Sequence, residues 1–299
     1  MTSDRSDLWQ QITSNLFSKI DEKFILSFRA PGGANNRLAA WNPYEKSMRH
    51  YKLLLFNVAR NKSPAFFRFY CKLKNTQIGN PVIVKVNSCT IDVDYLSSTE
   101  EFLFLSKHSD IKAIRNIVEI GAGFGRTCHA FLTFLETVES YTIIDLPELL
   151  MLSKMFLKQA VPEHYHKIRF IENIDEQSII NLSTDLVINI DSFQEMHVEV
   201  IDLYMKNVIS SSKWFYSKNP IGKYLPKIMG FPELSPEQLQ DVYSLGYSQN
   251  IYDLFDEDAL ISGRMQHCLD YLPSGWKIAA DSPAELFPYF HHVLYENSK

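Results

Sequence analysis

The sequence has few cysteines, little excess charge and no long apolar run. Its four cysteines, at positions 71, 89, 128 and 268, show neither the paired spacing of a zinc motif nor the density of a disulfide scaffold. We therefore expect reduced thiols in a cytoplasmic protein. The formal net charge is −5 at pH 7, so no basic field points to a nucleic-acid partner. No stretch approaches the length of a membrane span, and the first residues do not read as a signal peptide.

A hydrophobic fraction of 45% in 299 residues is ample for one large core with an appended region. Apolar residues at helical spacing over 8–20 and a break over 31–36 predict a mainly helical N-terminal cap region, residues 1–95. Residues 96–299 then form the main α/β domain. Within it, the irregular proline-containing stretch 221–250 predicts a lid-like insertion over the site.

The segment 116–126 organises the main domain. An apolar strand at 117–120 leads into the turn Gly121-Ala122-Gly123-Phe124-Gly125, and residues 126–136 follow with helical spacing. A strand, a glycine turn and a helix form the start of a nucleotide-binding βαβ unit. Glycine serves there because the backbone must bend sharply and approach a ligand closely. The spacing is G-x-G-x-G, which disfavours the G-x-G-x-x-G of a dinucleotide-dependent dehydrogenase.

Two carboxylates flank this turn in the sequence. Glu119 precedes Gly121 by two residues, where a carboxylate could accept from a ligand ammonium group. Asp145 ends a second strand at 141–144, at the distance that a βαβ unit needs before an acidic residue can bind ribose hydroxyls. The structural alternative for Asp145 is the N-cap of the next helix.

A second polar element follows the strand predicted at 185–190. It reads Asp191-Ser192-Phe193-Gln194-Glu195-Met196-His197. Ligands of open α/β sheets sit beyond the carboxyl ends of strands, so this element should lie beside the glycine turn. The structural alternative is a capping box, with Ser192 as N-cap and Glu195 reaching back to it, and Met196, Val200, Leu203 and Tyr204 in the core.

The motif from Val118 to Gly125 resembles motif I of the class I S-adenosylmethionine (SAM) dependent methyltransferases. Over 78–220 the chain also resembles the sugar O-methyltransferase family. Three elements carry this second resemblance in order: Tyr-x-Ile-Ile-Asp-Leu-Pro from Tyr141, Ser-Phe-Gln-Glu-Met from Ser192, and Phe-Tyr-Ser-x-Asn from Phe215.

These resemblances imply a Rossmann-like fold with a seven-stranded, mostly parallel sheet whose last strand is antiparallel. They imply SAM as the cofactor and a small-molecule acceptor, a sugar or glycoconjugate, methylated on a hydroxyl. The residues expected to bind the cofactor are Glu119, Gly121, Ala122, Gly123, Gly125, Asp145, Leu146, Asn189, Asp191, Ser192 and Phe193. The adenine should meet a polar group within 173–177.

Methyl transfer to a hydroxyl calls for a general base. The candidates, in order, are His197, Glu195 and Asp191, followed by His267. A divalent metal held by Asp191 and Glu195 is an alternative that the sequence does not favour, since two carboxylates make an incomplete site. Two other functions stay open: methylation of a carboxylate or another natural-product acceptor, and a Rossmann-like module that binds without catalysis. The sequence does not fix the oligomeric state, and a homodimer is compatible with it.

Overall fold

The computed structural model describes residues 21, 48–172, 184–227 and 235–298. The helix expected at 8–20, the break at 31–36 and the adenine-contacting segment at 173–177 lie outside these ranges, as does part of the insertion at 221–250. The chain divides into two compact units, 1–57 and 58–299. The boundary near residue 95 stays a prediction. Within the described ranges, no helix combines the length and apolarity that crossing a bilayer requires.

The helices and strands alternate along the second half of the chain, as expected of an α/β fold. The α-helices are α1 Met48–Arg60, α2 Pro64–Tyr70, α3 Val93–His108, α4 Arg126–Phe134, α5 Pro147–Ala160, α6 Val198–Asn207, α7 Pro236–Ser244 and α8 Glu257–Asp270. The strands are β1 Val84–Val86, β2 Cys89–Ile91, β3 Asn116–Ile120, β4 Ser140–Asp145, β5 Ile168–Glu172, β6 Leu186–Ile190, β7 Trp214–Pro220, β8 Trp276–Pro283 and β9 Phe290–Asn297.

Seven strands form one mixed sheet in the order β5-β4-β3-β6-β7-β9-β8. The pairs among the first five strands are parallel, whereas β9 pairs antiparallel with both β7 and β8. This arrangement is the predicted Rossmann-like α/β fold with an antiparallel last strand. The strand order reverses between β3 and β6, so a crevice is expected beyond the carboxyl ends of these two strands.

The central strands read as continuous apolar runs because helices cover both faces of a parallel sheet. Every residue of β6 is buried, and so are the last four residues of β3. Asn189 in β6 and Glu119 in β3 are the polar residues among these buried positions. A polar group at such a position needs an internal partner, and both residues have one, as described below.

A buried ion network joins α3, α4 and β7. The Glu101 carboxylate is fully buried and accepts from Arg126 Nη1 and Nη2 at 2.9 and 3.0 Å and from Lys218 Nζ at 2.8 Å. Burial raises the pKa of Glu101, but the charges of Arg126 and Lys218 outweigh this effect and bring it to about 2. Such pairing is needed because a lone buried carboxylate is strongly destabilising.

Cys71 and Cys89 form a disulfide, contrary to the expectation of reduced thiols throughout. Cys71 is the C-cap of α2 and Cys89 begins β2, and their Cα atoms lie 6.0 Å apart. Their separation of 18 residues matches no motif, so the sequence did not reveal the pair. Cys128 and Cys268 are free and buried.

Replacing both Cys71 and Cys89 by serine should lower the free energy of unfolding by roughly 3 kcal/mol, because a cross-link of this loop length restricts the unfolded chain. Urea denaturation measures the change. Reductant should produce the same loss in the wild type and no loss in the double variant. Four reactive thiols in the denatured, unreduced wild type would contradict the disulfide.

Candidate functional site

The turn between β3 and α4 is a left-handed bend built on three glycines. Gly121, Gly123 and Gly125 have φ values of +75°, +57° and +93°, a region that residues with a Cβ rarely adopt. The glycines differ in what surrounds them. A Cβ on Gly121 would clash with the Ser192 side chain, and one on Gly125 would lie 2.8 Å from Leu157 Cδ1. A Cβ on Gly123 would meet nothing within 4 Å.

A cavity of about 670 Å³ opens at the carboxyl ends of β3, β4 and β6. Its volume is within the range of roughly 300–1,000 Å³ that is typical of small-molecule sites. The cavity brings together the bend and both polar elements that the sequence singled out. It is lined by Gly121, Gly123, Ile144, Asp145, Leu146, Leu149, Asp191, Ser192, Glu195, Met196, Val200, Leu203 and Tyr204.

Asp145 lies at the end of β4 and faces this cavity across from the bend. Its Oδ2 accepts from the Gly123 backbone N–H at 2.9 Å and its Oδ1 from the Leu146 N–H at 2.8 Å. Each oxygen keeps a lone pair for a ligand hydroxyl. The capping alternative is wrong, because the N-cap of α5 is Leu146 and Asp145 contacts no deeper N–H of that helix in the described contacts. Burial raises the pKa of Asp145.

The structural alternative for Ser192, a capping box, is also wrong. Residues Phe193–Glu195 form a short 3-10 turn, and α6 begins only at Val198 with His197 as its N-cap. Ser192 Oγ instead donates to the Ile120 carbonyl at 3.3 Å and accepts from Asn189 Nδ2 at 2.6 Å. Ser192 thus holds the end of β6 against the end of β3.

The apolar face of α6 belongs to the cavity and not to the core alone. Val200 and Leu203 are 38% and 48% exposed, and both line the cavity together with Met196 and Tyr204. Of the four side chains that the capping alternative placed in the core, Tyr204 is 7% exposed and belongs to the main core cluster, and the partly buried Met196 packs against that cluster. Helical spacing marks an apolar face, but it does not tell a core from a ligand cavity.

Asp191 combines backbone strain with a raised pKa. Its φ of +53° is unusual for a residue other than glycine, and such strain concentrates at functional sites. The residue is exposed, yet surrounding protein displaces water from its carboxyl group, and Glu195 adds a like charge. Together these effects raise the pKa of Asp191 to about 6, although Arg126 and Lys218 act in the opposite direction.

Glu119 does not line the cavity, contrary to its predicted contact with a ligand. The carboxylate is 2% exposed, and its Oε2 accepts from the Tyr141 hydroxyl at 2.8 Å. Burial raises the pKa of Glu119 to about 7. The side chain of β3 that precedes the bend therefore sits within the sheet and not in the ligand space.

Four other predicted ligand residues also lie outside the cavity lining. Asn189 is fully buried, with Nδ2 donating to the Ile120 carbonyl at 3.0 Å. Phe193 is fully buried in the main core cluster, and Ala122 is 9% exposed. Gly125 packs against Leu157 of α5. These residues shape the bend and the strand ends, and their direct contact with a ligand stays a prediction that this geometry does not favour.

Neither histidine candidate for the base reaches the cavity. His197 is exposed at the start of α6 and is not part of the lining. His267 is fully buried in α8, and its Nδ1 lies 3.0 Å from Ser248 Oγ. Of the four candidates, Asp191 and Glu195 line the cavity and the two histidines do not.

Sequence reasoning missed the Glu101–Arg126–Lys218 network altogether. Glu101 and Lys218 are 117 residues apart, and no local pattern connects them. It also missed the lining role of Ile144 and Leu149. Only the apolar face of α6 had a signal in the sequence, and that signal was assigned to the core.

Neither a protein-family model nor a curated protein matches this sequence. Among solved structures, the chain is similar to the mitomycin 7-O-methyltransferase MmcR at 12% identity and a TM-score of 0.43, covering 89% of this chain and 70% of that one. An O-methyltransferase family protein from Burkholderia thailandensis is similar at 11% identity and a TM-score of 0.43. That alignment covers 69% of this chain and 58% of the other. The glycopeptide N-methyltransferase MtfA, complexed with sinefungin, is similar at 14% identity and a TM-score of 0.41. That alignment covers 68% of this chain and 87% of the other. Likeness at this level carries no conclusion about the activity of this chain.

Asp191→Asn should stabilise the fold above pH 6 and leave it unchanged below about pH 4. A raised carboxyl pKa means that the folded state loses stability as pH rises from the unfolded pKa to the folded one. Asparagine removes that ionisation and tolerates positive φ. Urea denaturation of both proteins at pH 4 and pH 8 measures the difference.

Glu195→Gln should lower the pKa of Asp191, because it removes the neighbouring like charge. Carboxyl NMR titrations measure the change, and an unchanged pKa would mean that the two groups are not coupled.

Proposed function

We propose that this chain is a SAM-dependent methyltransferase that methylates a hydroxyl of a sugar or glycosylated small molecule. The observation that carries the proposal is the pairing of Gly123 with Asp145. The first is a left-handed glycine whose missing Cβ leaves open space, and the second is a carboxylate on the neighbouring strand that lines the same cavity. This pairing suits a ligand with an ionic end near the bend and a ribose one strand away.

The residues present fit such a donor. Asp145 would accept from the ribose hydroxyls with the lone pairs that Gly123 and Leu146 leave free. The backbone of the bend, around Gly121 and Gly123, would meet the amino-acid end. The apolar face formed by Met196, Val200 and Leu203 would cover the flat adenine ring, since apolar side chains dominate such sites.

The donor, when bound, supplies a methyl carbon that is already activated on a sulfonium centre. The work left to the chain is alignment and removal of the acceptor proton. Asp191 is the best-placed base, because it lines the cavity and its pKa of about 6 lets it accept a proton near neutral pH. Glu195 lies beside it, so a proton taken by Asp191 relieves the repulsion between the two carboxylates.

The two carboxylates also bear on the acceptor class. Asp191 and Glu195 would repel an anionic acceptor, which disfavours methylation of a carboxylate. Vicinal hydroxyls of a sugar can instead donate to both groups. This electrostatic argument supports the sugar acceptor that the sequence resemblance implies.

We further propose that the insertion at 221–250 covers the acceptor side and that residues 1–95 act as a cap region. The described part of the insertion is tied to the site. Lys223 is buried, and its Nζ donates to the Gln194 carbonyl at 2.8 Å, next to Glu195. Burial lowers the pKa of Lys223, and the negative charge of Glu195 partly offsets this effect.

Wild-type protein should bind S-adenosylhomocysteine at one site, and Gly123→Ala should weaken that binding by at least about tenfold, since the new methyl occupies ligand space. Isothermal titration calorimetry measures both. Gly275→Ala is a matched control, because Gly275 also has a positive φ of +80° with nothing within 4 Å, but it does not line the cavity. Both variants should lose similar stability. The absence of heat with the wild type would refute the proposed donor, and equal affinities in the two variants would mean that the bend does not contact it.

Asp191→Asn should lower methyl transfer by about 10²–10⁴-fold while leaving S-adenosylhomocysteine affinity within a few-fold of wild type, since a general base acts on the acceptor proton. Transfer from isotopically labelled SAM to a panel of free hexoses and neutral glycosides provides the rate. His197→Ala is the comparison, because His197 lies outside the cavity, and it should keep nearly the full rate. Loss in His197→Ala with retention in Asp191→Asn would overturn this assignment of the base.

A further inference from the structure

The side chain of Tyr204 lies between the core and the methyl-transfer cavity. Its ring belongs to the main core cluster and stacks on Phe193, with the two ring centroids 6.1 Å apart. The residue is buried, yet it is part of the cavity lining. Because close packing restricts the ring, its hydroxyl is held in one place, as a group that binds a ligand needs to be.

The Tyr204 hydroxyl has no hydrogen-bond partner within the described residues. A buried tyrosine hydroxyl usually has one. The six other tyrosines that are buried in the described ranges conform to this rule, namely Tyr70, Tyr95, Tyr141, Tyr216, Tyr271 and Tyr295. Nor does the Tyr204 oxygen belong to the fully enclosed polar atoms that lack a partner. The oxygen therefore reaches the cavity and is available to a ligand.

The other polar side chains of the lining offer acceptors and no free donor. Three of them are carboxylates, which only accept when they are ionised: Asp145, Asp191 and Glu195. The Ser192 hydroxyl already donates to a backbone carbonyl of β3. Among the lining side chains that the structure describes, Tyr204 thus provides the hydroxyl whose proton is left for a ligand.

Tyr204 and Asp145 face the same cavity from different elements. Tyr204 comes from α6, and Asp145 is the last residue of β4. Burial and the negative charge of Asp145 raise the pKa of Tyr204 to about 12, so the phenol is protonated at neutral pH and donates. Asp145 keeps a lone pair on each oxygen beside its bonds from Gly123 and Leu146. The cavity therefore presents a donor and an acceptor together.

An alcohol is the ligand group that satisfies both residues at once. It has one O–H to donate to Asp145 and two lone pairs, one of which accepts from Tyr204. A carbonyl or ether oxygen accepts from Tyr204 but has no proton for Asp145. An ammonium group donates to Asp145 but has no lone pair for Tyr204.

We propose that Tyr204 and Asp145 together bind one ribose hydroxyl of the methyl donor. The Tyr204 O–H donates to the ribose oxygen, and the ribose O–H donates to the Asp145 carboxylate. This assignment rests on the proposed function and adds to it a residue of α6 that binds the donor. The pair selects for ribose over deoxyribose, because a donor without that hydroxyl leaves both protein groups unpaired.

Tyr204→Phe tests the hydroxyl alone, since it removes one oxygen and retains the ring. We expect S-adenosylhomocysteine affinity to fall on the order of fivefold, the effect of one neutral hydrogen bond, in isothermal titration calorimetry. Stability in urea should not fall, because no hydrogen bond within the protein is lost. Tyr295→Phe is the matched control from the same core cluster. The Tyr295 hydroxyl donates to the Cys268 carbonyl at 3.0 Å and does not line the cavity, so this variant should lose stability and retain affinity.

Analogues of S-adenosylhomocysteine that lack the 2′ or the 3′ hydroxyl identify the ligand atom. The wild type should bind one of them at least about tenfold more weakly than S-adenosylhomocysteine, because two protein groups lose their partner. With that analogue, Tyr204→Phe should cause no further loss.

Two results would overturn this assignment and leave the proposed donor in place. One is an S-adenosylhomocysteine affinity that Tyr204→Phe does not change. The other is a loss in Tyr204→Phe that is equally large with S-adenosylhomocysteine and with both analogues, which would place the contact outside the ribose hydroxyls. A wild type that does not bind S-adenosylhomocysteine would instead remove the donor, and this assignment with it.

Discussion

The buried carboxylate of Glu101 is the interaction on which the rest of the site depends. Its two oxygens accept from both Arg126 and Lys218, so this one buried carboxylate joins α3, α4 and β7. Arg126 is the first residue after the glycine bend, and the Lys218 carbonyl accepts from the Asp191 N–H at 3.0 Å. The network therefore fixes the start of α4 and the position of Asp191 from one side. It also contributes the positive charge that limits the rise in the pKa of Asp191.

The second constraint is the close approach of two strand ends. Gly121 has no Cβ, and Ser192 occupies the space where one would lie. Asn189 secures this contact by donating to the Ile120 carbonyl and to Ser192 Oγ, and it accepts from Asn219 Nδ2 at 2.8 Å. The polar residues of the β6 end thus hold β3, β6 and β7 together. Of Asn189, Ser192 and Asn219, Ser192 alone lines the cavity.

Asp191 shows how such a scaffold can hold an unfavourable residue. Its left-handed backbone and the proximity of Glu195 both cost stability, and neither is explained by packing. The surroundings tolerate this cost, since hydrogen bonds to β3, β6 and β7 fix Asp191 and the adjacent Ser192. A carboxyl group that titrates near neutral pH and lines a cavity is the expected result of that arrangement. The exposed apolar face of α6 completes the opposite wall.

Local spacing in the sequence predicted the strand–glycine–helix unit and the position of Asp145, and the resemblance to methyltransferases implied the seven-stranded sheet. The disulfide Cys71–Cys89 and the ion network of Glu101 depend on contacts between distant residues, so no local pattern encodes them. The capping alternative at Ser192 was wrong because the hydroxyl instead pairs with Asn189 of β6 and with the Ile120 carbonyl across the sheet. Tertiary structure decided which polar residues face the cavity. The period of a helix or strand gives a side chain its direction, but only the packing of neighbouring elements determines whether that direction leads to core, cavity or solvent.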